Sequence, residues 1–344
     1  MNPAKPIASL SLDLDNQWSY MKTHGDPEWQ SLPSYLDLVV PRVLHFLQER
    51  KLTITFFVVG QDAALERNAE ALKAIAAAGH EIGNHSFHHE PWLHLYSEEE
   101  IETELRTAEE HIESVTGQKP VGFRGPGFSV SPTVLKVLAR RGYQYDASTL
   151  PTFIGPLARA YYFMTAKLNR QQSEQRKILF GTVRDGLRPI KPYRWRLNGQ
   201  RELVEIPVTT MPGLKTPIHF SYMLYLAGYS RALAVQYFKS ALRICRWTGT
   251  APSLLLHPLD FLGCDDVEAL AFFPAMGMRS TKKLALMADL IDAVTGEFTV
   301  VTMQKHTSIA QEHRLNVVEI KDGRPSSVTV GALDGRPSEP GNRP

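Results

Sequence analysis

The feature that most constrains the fold is a regular alternation of strand-like and helix-like segments in the first part of the chain. The strand-like segments are short and rich in apolar or β-branched residues, whereas the helix-like segments repeat apolar residues at helical spacing. The predicted strands are residues 7–15, 53–59, 81–84, 121–124 and 143–146, and the predicted helices are residues 36–50, 62–78, 97–115 and 131–141. This alternation predicts parallel β/α units.

The alternation stops after Ser148 for about a hundred residues and then returns. The later segments are a strand at residues 253–257, a helix at 281–294 and a last strand at 298–303. We therefore predict an α/β fold, a distorted (β/α) barrel of about seven strands over residues 1–310, with a large basic insertion at about 151–250. Residues 311–344 are predicted to form a largely disordered tail, since Gly, Pro, Ser and charged residues dominate from Asp322 onward.

The insertion concentrates positive charge and aromatic residues. The whole chain has a formal net charge of +2, yet residues 151–250 contain 16 Lys and Arg against 4 Asp and Glu, with 14 of the 32 aromatic residues. Within Ile218–Cys245, aromatic side chains stand beside Arg231, Lys239 and Arg243. This combination is typical of a surface that meets an anionic membrane. A helical lid packed on the barrel is the open alternative.

Several features bear on the location of the protein. No run of 18 or more apolar residues exists that could form a spanning helix. The first six residues do not resemble a secretory signal, and two cysteines, Cys245 and Cys264, cannot form a disulfide framework. We expect a cytoplasmic protein, peripheral to the inner face of the membrane if the insertion binds lipid.

Polar residues that could carry chemistry follow the predicted strands, where β/α folds place their active sites. Asp13 and Asp15 close the first strand, and residues two apart in a strand point to the same side. Two carboxylates so close need a cation or a proton between them. A turn or helix-capping role is the alternative for this pair.

The segment 85–89, His-Ser-Phe-His-His, follows the third predicted strand. Histidines four apart lie on one face of a helical turn, so His85 and His89 are the preferred pair for binding one metal ion. His85 with His88 is also geometrically possible, and a histidine-rich surface loop is the alternative to a metal site.

A late apolar strand ends in His257. A buried core histidine is the ordinary interpretation of such a residue. Its place at the end of a strand favours a proton donor instead.

Taken in order, these motifs resemble those of the NodB-homology polysaccharide deacetylases, carbohydrate esterase family 4. That family has a first motif with two aspartates, then H-[S/T]-x-x-H, an R-x-P-type loop and a late L-x-H. The matching residues are Asp13 and Asp15, His85-Ser86-x-x-His89, Arg124-Gly125-Pro126-Gly127-Phe128, and Leu255-Leu256-His257. The resemblance covers roughly residues 7–150 and 203–303.

The resemblance implies a role for each matching residue. Asp15, His85 and His89 would bind a divalent metal ion. Asp13 would be the base that takes a proton from water, His257 the acid that protonates the leaving amine, and Arg124 the partner that holds Asp13. The loop residues Pro126, Gly127 and Phe128 would contact the substrate. Zinc suits the ligands best, with cobalt, iron, manganese or nickel as alternatives, and no organic cofactor is expected.

The chain departs from the family pattern in two places. The family's two aspartates are usually adjacent and followed by glycine, whereas here Leu14 separates them and Asn16 follows. The Asp-Trp pair with which the family tunes its acid is not visible in the sequence. Asp146 and Asp260 are the candidates for orienting His257.

The implied function is metal-dependent hydrolysis of an N-acyl group, expected to be acetyl, on an amino sugar. A lipid-linked biosynthetic intermediate is the substrate that a membrane-bound insertion would suggest. An allantoinase-like hydrolase of amides or cyclic amides is the alternative, although several of those enzymes dispense with the metal. A carbohydrate- or nucleic-acid-binding protein without activity would have no use for an acid, a base and metal ligands, so no nucleic acid partner is expected.

Overall fold

The computed structural model describes residues 5–154, 183–197, 202–273 and 275–320. These residues contain ten strands and ten α-helices. The strands are Ile7–Asp13 (β1), Thr55–Val58 (β2), Glu81–Asn84 (β3), Gly122–Phe123 (β4), Tyr145–Asp146 (β5), Tyr193–Arg196 (β6), Leu203–Glu205 (β7), Ser253–Leu256 (β8), Thr299–Val301 (β9) and Asn316–Glu319 (β10). The helices are Gln17–His24 (α1), Leu36–Glu49 (α2), Gly60–Ala63 (α3), Ala69–Ala77 (α4), Glu98–Thr116 (α5), Pro132–Arg141 (α6), Phe220–Ala227 (α7), Arg231–Trp247 (α8), Ser280–Glu297 (α9) and Met303–Gln311 (α10).

The strands form one sheet in the order β10-β6-β7-β5-β4-β3-β2-β1-β8, and β9 also pairs with β1. Every pair is parallel except β6 with β7. The register places Leu12 of β1 opposite Phe56 of β2 and Leu256 of β8. All four residues of β2 are buried, as expected for a parallel strand with both faces covered. The predicted α/β fold built from parallel β/α units is thus confirmed.

The strand count differs from the prediction of about seven. The described residues include β6, β7 and β10, which lie outside the β/α alternation in the sequence. Strand β6 reads Tyr-Arg-Trp-Arg and buries only its two aromatic side chains fully, so it lacks the continuous apolar run of a central strand. Strands β6 and β7 extend the main sheet, and α7 and α8 pack on the same core as β8. The described part of the insertion is therefore continuous with the barrel-like core, while residues 155–182 and 198–201 lie outside the described residues.

The first ten residues of the predicted tail, 311–320, belong to the described structure. Residues 311–320 complete α10 and form β10, which pairs in parallel with β6. This pairing satisfies the backbone of a segment that has little apolar periodicity of its own. Residues 321–344 lie outside the described residues.

The helix expected at residues 62–78 is divided. Helix α3 ends at Ala63, a 3₁₀ turn covers Glu66–Asn68, and α4 begins at Ala69. The Asn68 amide donates to the backbone and the carboxylate of Asp62, both at 3.2 Å, and so stabilises the turn. Local side-chain hydrogen bonds of this kind compete with a continuous helix.

The carboxyl ends of the strands bring the polar motifs to one edge of the sheet. Asp13 is the last residue of β1, His85 follows β3, Arg124 follows β4 and His257 follows β8. Neighbouring parallel strands end on the same side, so these residues converge although they are far apart in the sequence.

Among the described helices, none is both long enough and apolar enough to cross a membrane.

Candidate active site

Three buried side chains converge at the edge of the sheet, those of Asp15, His85 and His89. Each offers one potential ligand atom, and these three atoms all lie within 4.8 Å of one another. The Oδ1 atom of Asp15 is 3.0 Å from Nε2 of His89 and 3.3 Å from Nε2 of His85. Ligand atoms about 2.1 Å from a common zinc ion are separated by roughly 3 to 3.4 Å, so these separations fit one divalent ion.

The two histidines meet through a loop and not through the helical turn that their spacing predicted. Residues 85–89 are non-helical, with positive φ angles of 63° at Ser86 and 51° at His89. The carboxylate of Glu104, on α5, accepts hydrogen bonds from the backbone N–H groups of Phe87 and His88, both at 3.0 Å. The loop conformation is therefore set by a distant helix.

His88 does not join the cluster. Its Nδ1 atom contacts the Glu104 carboxylate, which also caps the loop backbone. Of the two histidine pairs that the sequence allowed, the structure brings His85 and His89 to Asp15.

A hydrogen bond to a backbone carbonyl fixes the orientation of the His85 ring. Its Nδ1 atom lies 2.6 Å from the backbone carbonyl oxygen of Arg124. A carbonyl can only accept, so Nδ1 carries the proton and Nε2 faces Asp15. This arrangement is common for metal-binding histidines.

Burial and charge act against each other in the cluster. Burial disfavours ionisation of Asp15, but His89 and His85 outweigh it and hold the pKa of Asp15 well below its usual range. For His85, the nearby carboxylates of Asp13 and Asp15 outweigh burial and raise the pKa. For His89, burial dominates and lowers the pKa.

Asp13 is held by Arg124. The Nη1 atom of Arg124 donates to Oδ1 of Asp13 at 2.7 Å and to the hydroxyl of Ser11 at 2.8 Å, while Nε donates to the carbonyl of Ala147 at 3.0 Å. Arg124 is fully buried, and its guanidinium lies 4.4 Å from the ring centroid of Phe57. The second oxygen of Asp13, Oδ2, remains directed toward the cluster, 3.9 Å from Nε2 of His85.

His257 is oriented by a serine that sequence reasoning missed. The Ser221 hydroxyl donates to Oδ1 of Asp260 at 2.9 Å and lies 3.1 Å from Nδ1 of His257. The serine has one hydrogen and gives it to Asp260, so its oxygen accepts from Nδ1–H. Nε2 of His257 then has no hydrogen-bond partner among the residues that the structure describes. The other oxygen of Asp260 accepts from the backbone N–H of His257 at 2.8 Å.

Asp260, and not Asp146, is therefore the carboxylate that reaches His257. Asp146 hydrogen-bonds to the Ser148 hydroxyl and interacts with the buried Glu205. Ser221 lies in the insertion, 36 residues before His257, and no local motif links it to the histidine.

The loop after Arg124 is tightly packed. A Cβ atom added at Gly125 would come within 2.1 Å of the Ser129 carbonyl oxygen. Residues Pro126–Phe128 form a 3₁₀ turn in which Gly127 and Phe128 have φ angles of 58° and 61°. Pro126 is buried, Phe128 is half-buried and Gly127 is exposed. Contact of these three residues with a substrate stays a prediction.

Part of the chain is similar to known proteins. Residues 32–145 match the family model described as polysaccharide deacetylase. The peptidoglycan-N-acetylmuramic acid deacetylase PdaA of Bacillus subtilis is 38% identical over 105 residues, which cover 30% of this chain and 39% of that protein. The peptidoglycan-N-acetylglucosamine deacetylase of Bacillus cereus is 33% identical over 108 residues, which cover 30% of this chain and 47% of that protein.

These matches are partial in length, because they span less than half of either relative. In fold, the chain is similar to the crystal structure of a putative polysaccharide deacetylase from Mycobacterium smegmatis, with a TM-score of 0.57 and 21% identity. That similarity covers 95% of this chain and 99% of the other. The match over residues 32–145 and the relatives that share it confirm, for that part of the chain, its resemblance to the NodB-homology polysaccharide deacetylases.

Proposed function

We propose that this protein is a metal-dependent hydrolase that removes an N-acyl group, acetyl in the simplest case, from an amino sugar. The observation that carries the proposal is the approach of Asp15, His85 and His89 within 4.8 Å of one another. The Asp13–Arg124 pair lies next to this set. The relatives support the same reaction, since their names describe deacetylases of peptidoglycan.

In the proposal, Asp15, His85 and His89 hold one divalent ion. Two imidazoles and one carboxylate suit zinc, and cobalt, iron, manganese or nickel accept the same ligands. The unprotonated Nε2 of His85 is available as a ligand because Nδ1 is committed to the Arg124 carbonyl. A bound ion of this kind polarises the amide carbonyl and makes water a stronger nucleophile.

Asp13 is proposed to be the general base. Its Oδ1 is occupied by the Arg124 guanidinium, which leaves Oδ2 to take a proton from the water that attacks the carbonyl carbon. Arg124 does not react, and its role is to keep Oδ2 directed at the cluster.

His257 is proposed to be the general acid. When the carbon–nitrogen bond breaks, the leaving amine must gain a proton, and His257 in its imidazolium form supplies the one on Nε2 while Nδ1–H stays bonded to Ser221. Ser221 and Asp260 hold the ring in the required orientation. Pro126, Gly127 and Phe128 are proposed to contact the sugar from the neighbouring loop.

The substrate has two candidates. The names of the relatives favour a cell-wall glycan such as peptidoglycan. A lipid-linked amino sugar is favoured by helix α8, on which Lys239, Arg243 and Trp247 are all exposed, the last by 87%. These residues are four apart and so share one helix face, which would suit the anionic inner surface of a membrane and a cytoplasmic enzyme. An allantoinase-like activity is less well supported, because the residues proposed as metal ligands, base and acid are all present.

Acetate release tests the proposal. The wild type should release acetate from N-acetylglucosamine oligomers or from a lipid-linked N-acetyl amino sugar, and Asp13→Asn should release at least a hundredfold less. Comparable rates for the two proteins on every N-acylated substrate would contradict it.

A further inference from the structure

A cavity of about 400 Å³ lies beside His257. Aromatic and aliphatic side chains form most of its wall. We name it the aromatic pocket and define it by Tyr20, Ile154, Tyr222, Tyr225, Phe273 and His219.

The aromatic pocket borders the proposed reaction centre. His257, the proposed acid, lines the pocket directly. Tyr20 lines it as well, and burial together with the nearby Asp15 carboxylate raises the pKa of the Tyr20 hydroxyl. The pocket therefore adjoins the proposed acid, and one of its wall residues lies near the proposed metal ligand Asp15.

His219 provides an independent indication of a ligand. It is 5% exposed, and its Nδ1 atom is buried with no hydrogen-bond partner among the described residues. Burial and the nearby His257 lower the pKa of His219 to about 3, so its imidazole is neutral. A buried polar atom without a partner is unfavourable in the free protein. A ligand that fills the pocket could supply the missing partner.

The size of the pocket exceeds what an acetyl group needs. Cavities of roughly 300 to 1,000 Å³ enclose drug-sized ligands, and an acetyl group has only two carbons. Apolar walls also offer a bound water molecule few hydrogen-bond partners. An acetyl group alone would leave most of this space unused.

We propose that the aromatic pocket binds an apolar group attached to the scissile amide, and that His219 hydrogen-bonds to a polar atom of that substrate. The inference rests on the proposed function. The apolar group has two possible sources, an N-acyl chain longer than acetyl or an apolar substituent on the sugar. Both place methylene groups against the same aromatic walls.

Two substrate series distinguish the sources. The first is N-acetyl-, N-butyryl- and N-hexanoylglucosamine, and the second is methyl, butyl and octyl glycosides of N-acetylglucosamine. We expect kcat/KM to rise at least tenfold along one series, since each buried methylene contributes favourably. The same kcat/KM for all members of both series would overturn the proposal.

Filling the pocket with a larger side chain should abolish the preference for longer substrates. Ile154→Trp adds bulk to the pocket wall, and we expect it to remove the rise in kcat/KM along the series. Val317→Trp is the matched control, because Val317 is a β-branched residue on strand β10 that is 41% exposed. An undiminished rise in a folded Ile154→Trp protein would count against the pocket. Tyr225→Ala, at a half-exposed position, is the second variant and should reduce the rise at least threefold.

His219 has its own test. His219→Phe keeps the ring but removes both nitrogens, and we expect a tenfold higher KM for the preferred substrate with kcat within threefold of the wild type. His219→Gln, which keeps a polar group, should recover part of the affinity. Wild-type KM in His219→Phe would exclude the hydrogen bond.

Calorimetry separates this inference from the proposed function. Asp13→Asn should bind N-hexanoylglucosamine or the octyl glycoside at least tenfold more tightly than the shortest member of its series. If the wild type cleaves acetyl substrates without any length preference, the pocket inference fails and the proposed function stands. If no amide is cleaved but the longer ligand still binds more tightly, the proposed function fails and the pocket inference stands.

Discussion

The Nδ1–H of His85 donates a 2.6 Å hydrogen bond to the backbone carbonyl of Arg124. The side chain of the same arginine donates to Asp13 at 2.7 Å. One residue at the end of β4 therefore orients a proposed metal ligand through its backbone and the proposed base through its side chain. The contact to His85 uses the backbone of Arg124 and not its side chain, so we expect the two functions to be separable by mutation of Asp13.

Asp13→Asn should bind zinc nearly as tightly as the wild type, because Asp13 is not one of the three clustered ligands. Turnover should fall about a hundredfold or more, the usual contribution of a general base. Zinc titration and acetate release measure the two effects on one preparation. A variant that cannot bind zinc would instead make Asp13 a ligand and require the two aspartates to exchange roles.

The residues of the site could largely be predicted from the sequence, because each follows a strand and carries its motif locally. Asp13, His85, Arg124 and His257 lie at strand ends, where the sheet brings them together. The conformation of the loops around these residues was harder to predict. The loop at residues 85–89 is non-helical because Glu104, on another helix, caps its backbone.

The contribution of the insertion could not be predicted, since it depends on tertiary contacts. Ser221 and His219 reach His257 only because α7 packs against β8 and the turn that follows it. Strand β10 likewise has a weak local pattern and becomes a strand by pairing with β6. In each case the deciding partner is distant in the sequence, beyond the reach of periodicity.

Ser221→Ala should lower kcat about tenfold while leaving zinc binding unchanged. The alanine removes the acceptor that holds Nδ1 of His257, and the ring then loses its fixed orientation. Ser230→Ala is a suitable control, because Ser230 caps α8 and is remote from the histidine contact. If Ser221→Ala retained full kcat, the serine would have no part in orienting the acid.

His306 should make the protein sensitive to acid. Burial lowers the pKa of His306 from 6.5 to about 4 in the folded state. As the pH falls below 6.5, the unfolded chain takes up this proton first, so the stabilising contribution is lost between about pH 6.5 and pH 4. The loss amounts to about 3 kcal/mol at pH 4.

Denaturant unfolding of the wild type and His306→Gln at several pH values measures this loss of stability. The difference in unfolding free energy between the two proteins should shrink by about 3 kcal/mol from pH 7.5 to pH 4. His313→Gln, at an exposed position, should show little change in that difference. A gap that stays constant with pH would contradict the role of His306.

Membrane binding should depend on one face of α8. Reversing both Lys239 and Arg243 to Glu should weaken binding to anionic vesicles at low salt, since each cation near such a surface contributes about 1 kcal/mol. Arg231 should matter less, because it pairs with Asp289 at 2.6 Å. Co-sedimentation at low and high salt measures the effect.

The matched control reverses two exposed lysines elsewhere, Lys51 and Lys305, and so alters net charge equally. Equal loss in both double variants would indicate a general charge effect. Equal binding of the wild type to anionic and neutral vesicles would remove the membrane interpretation, and the face on α8 would then need another explanation.

The most direct test of the account is a zinc titration of metal-free protein, followed at the same time by acetate release. We predict that binding and activity saturate together at about one ion per chain, that His85→Ala loses both, and that His88→Ala retains both because His88 contacts Glu104 instead of the cluster. Full activity in the metal-free wild type, or unchanged zinc binding and activity in His85→Ala, would contradict the central claim.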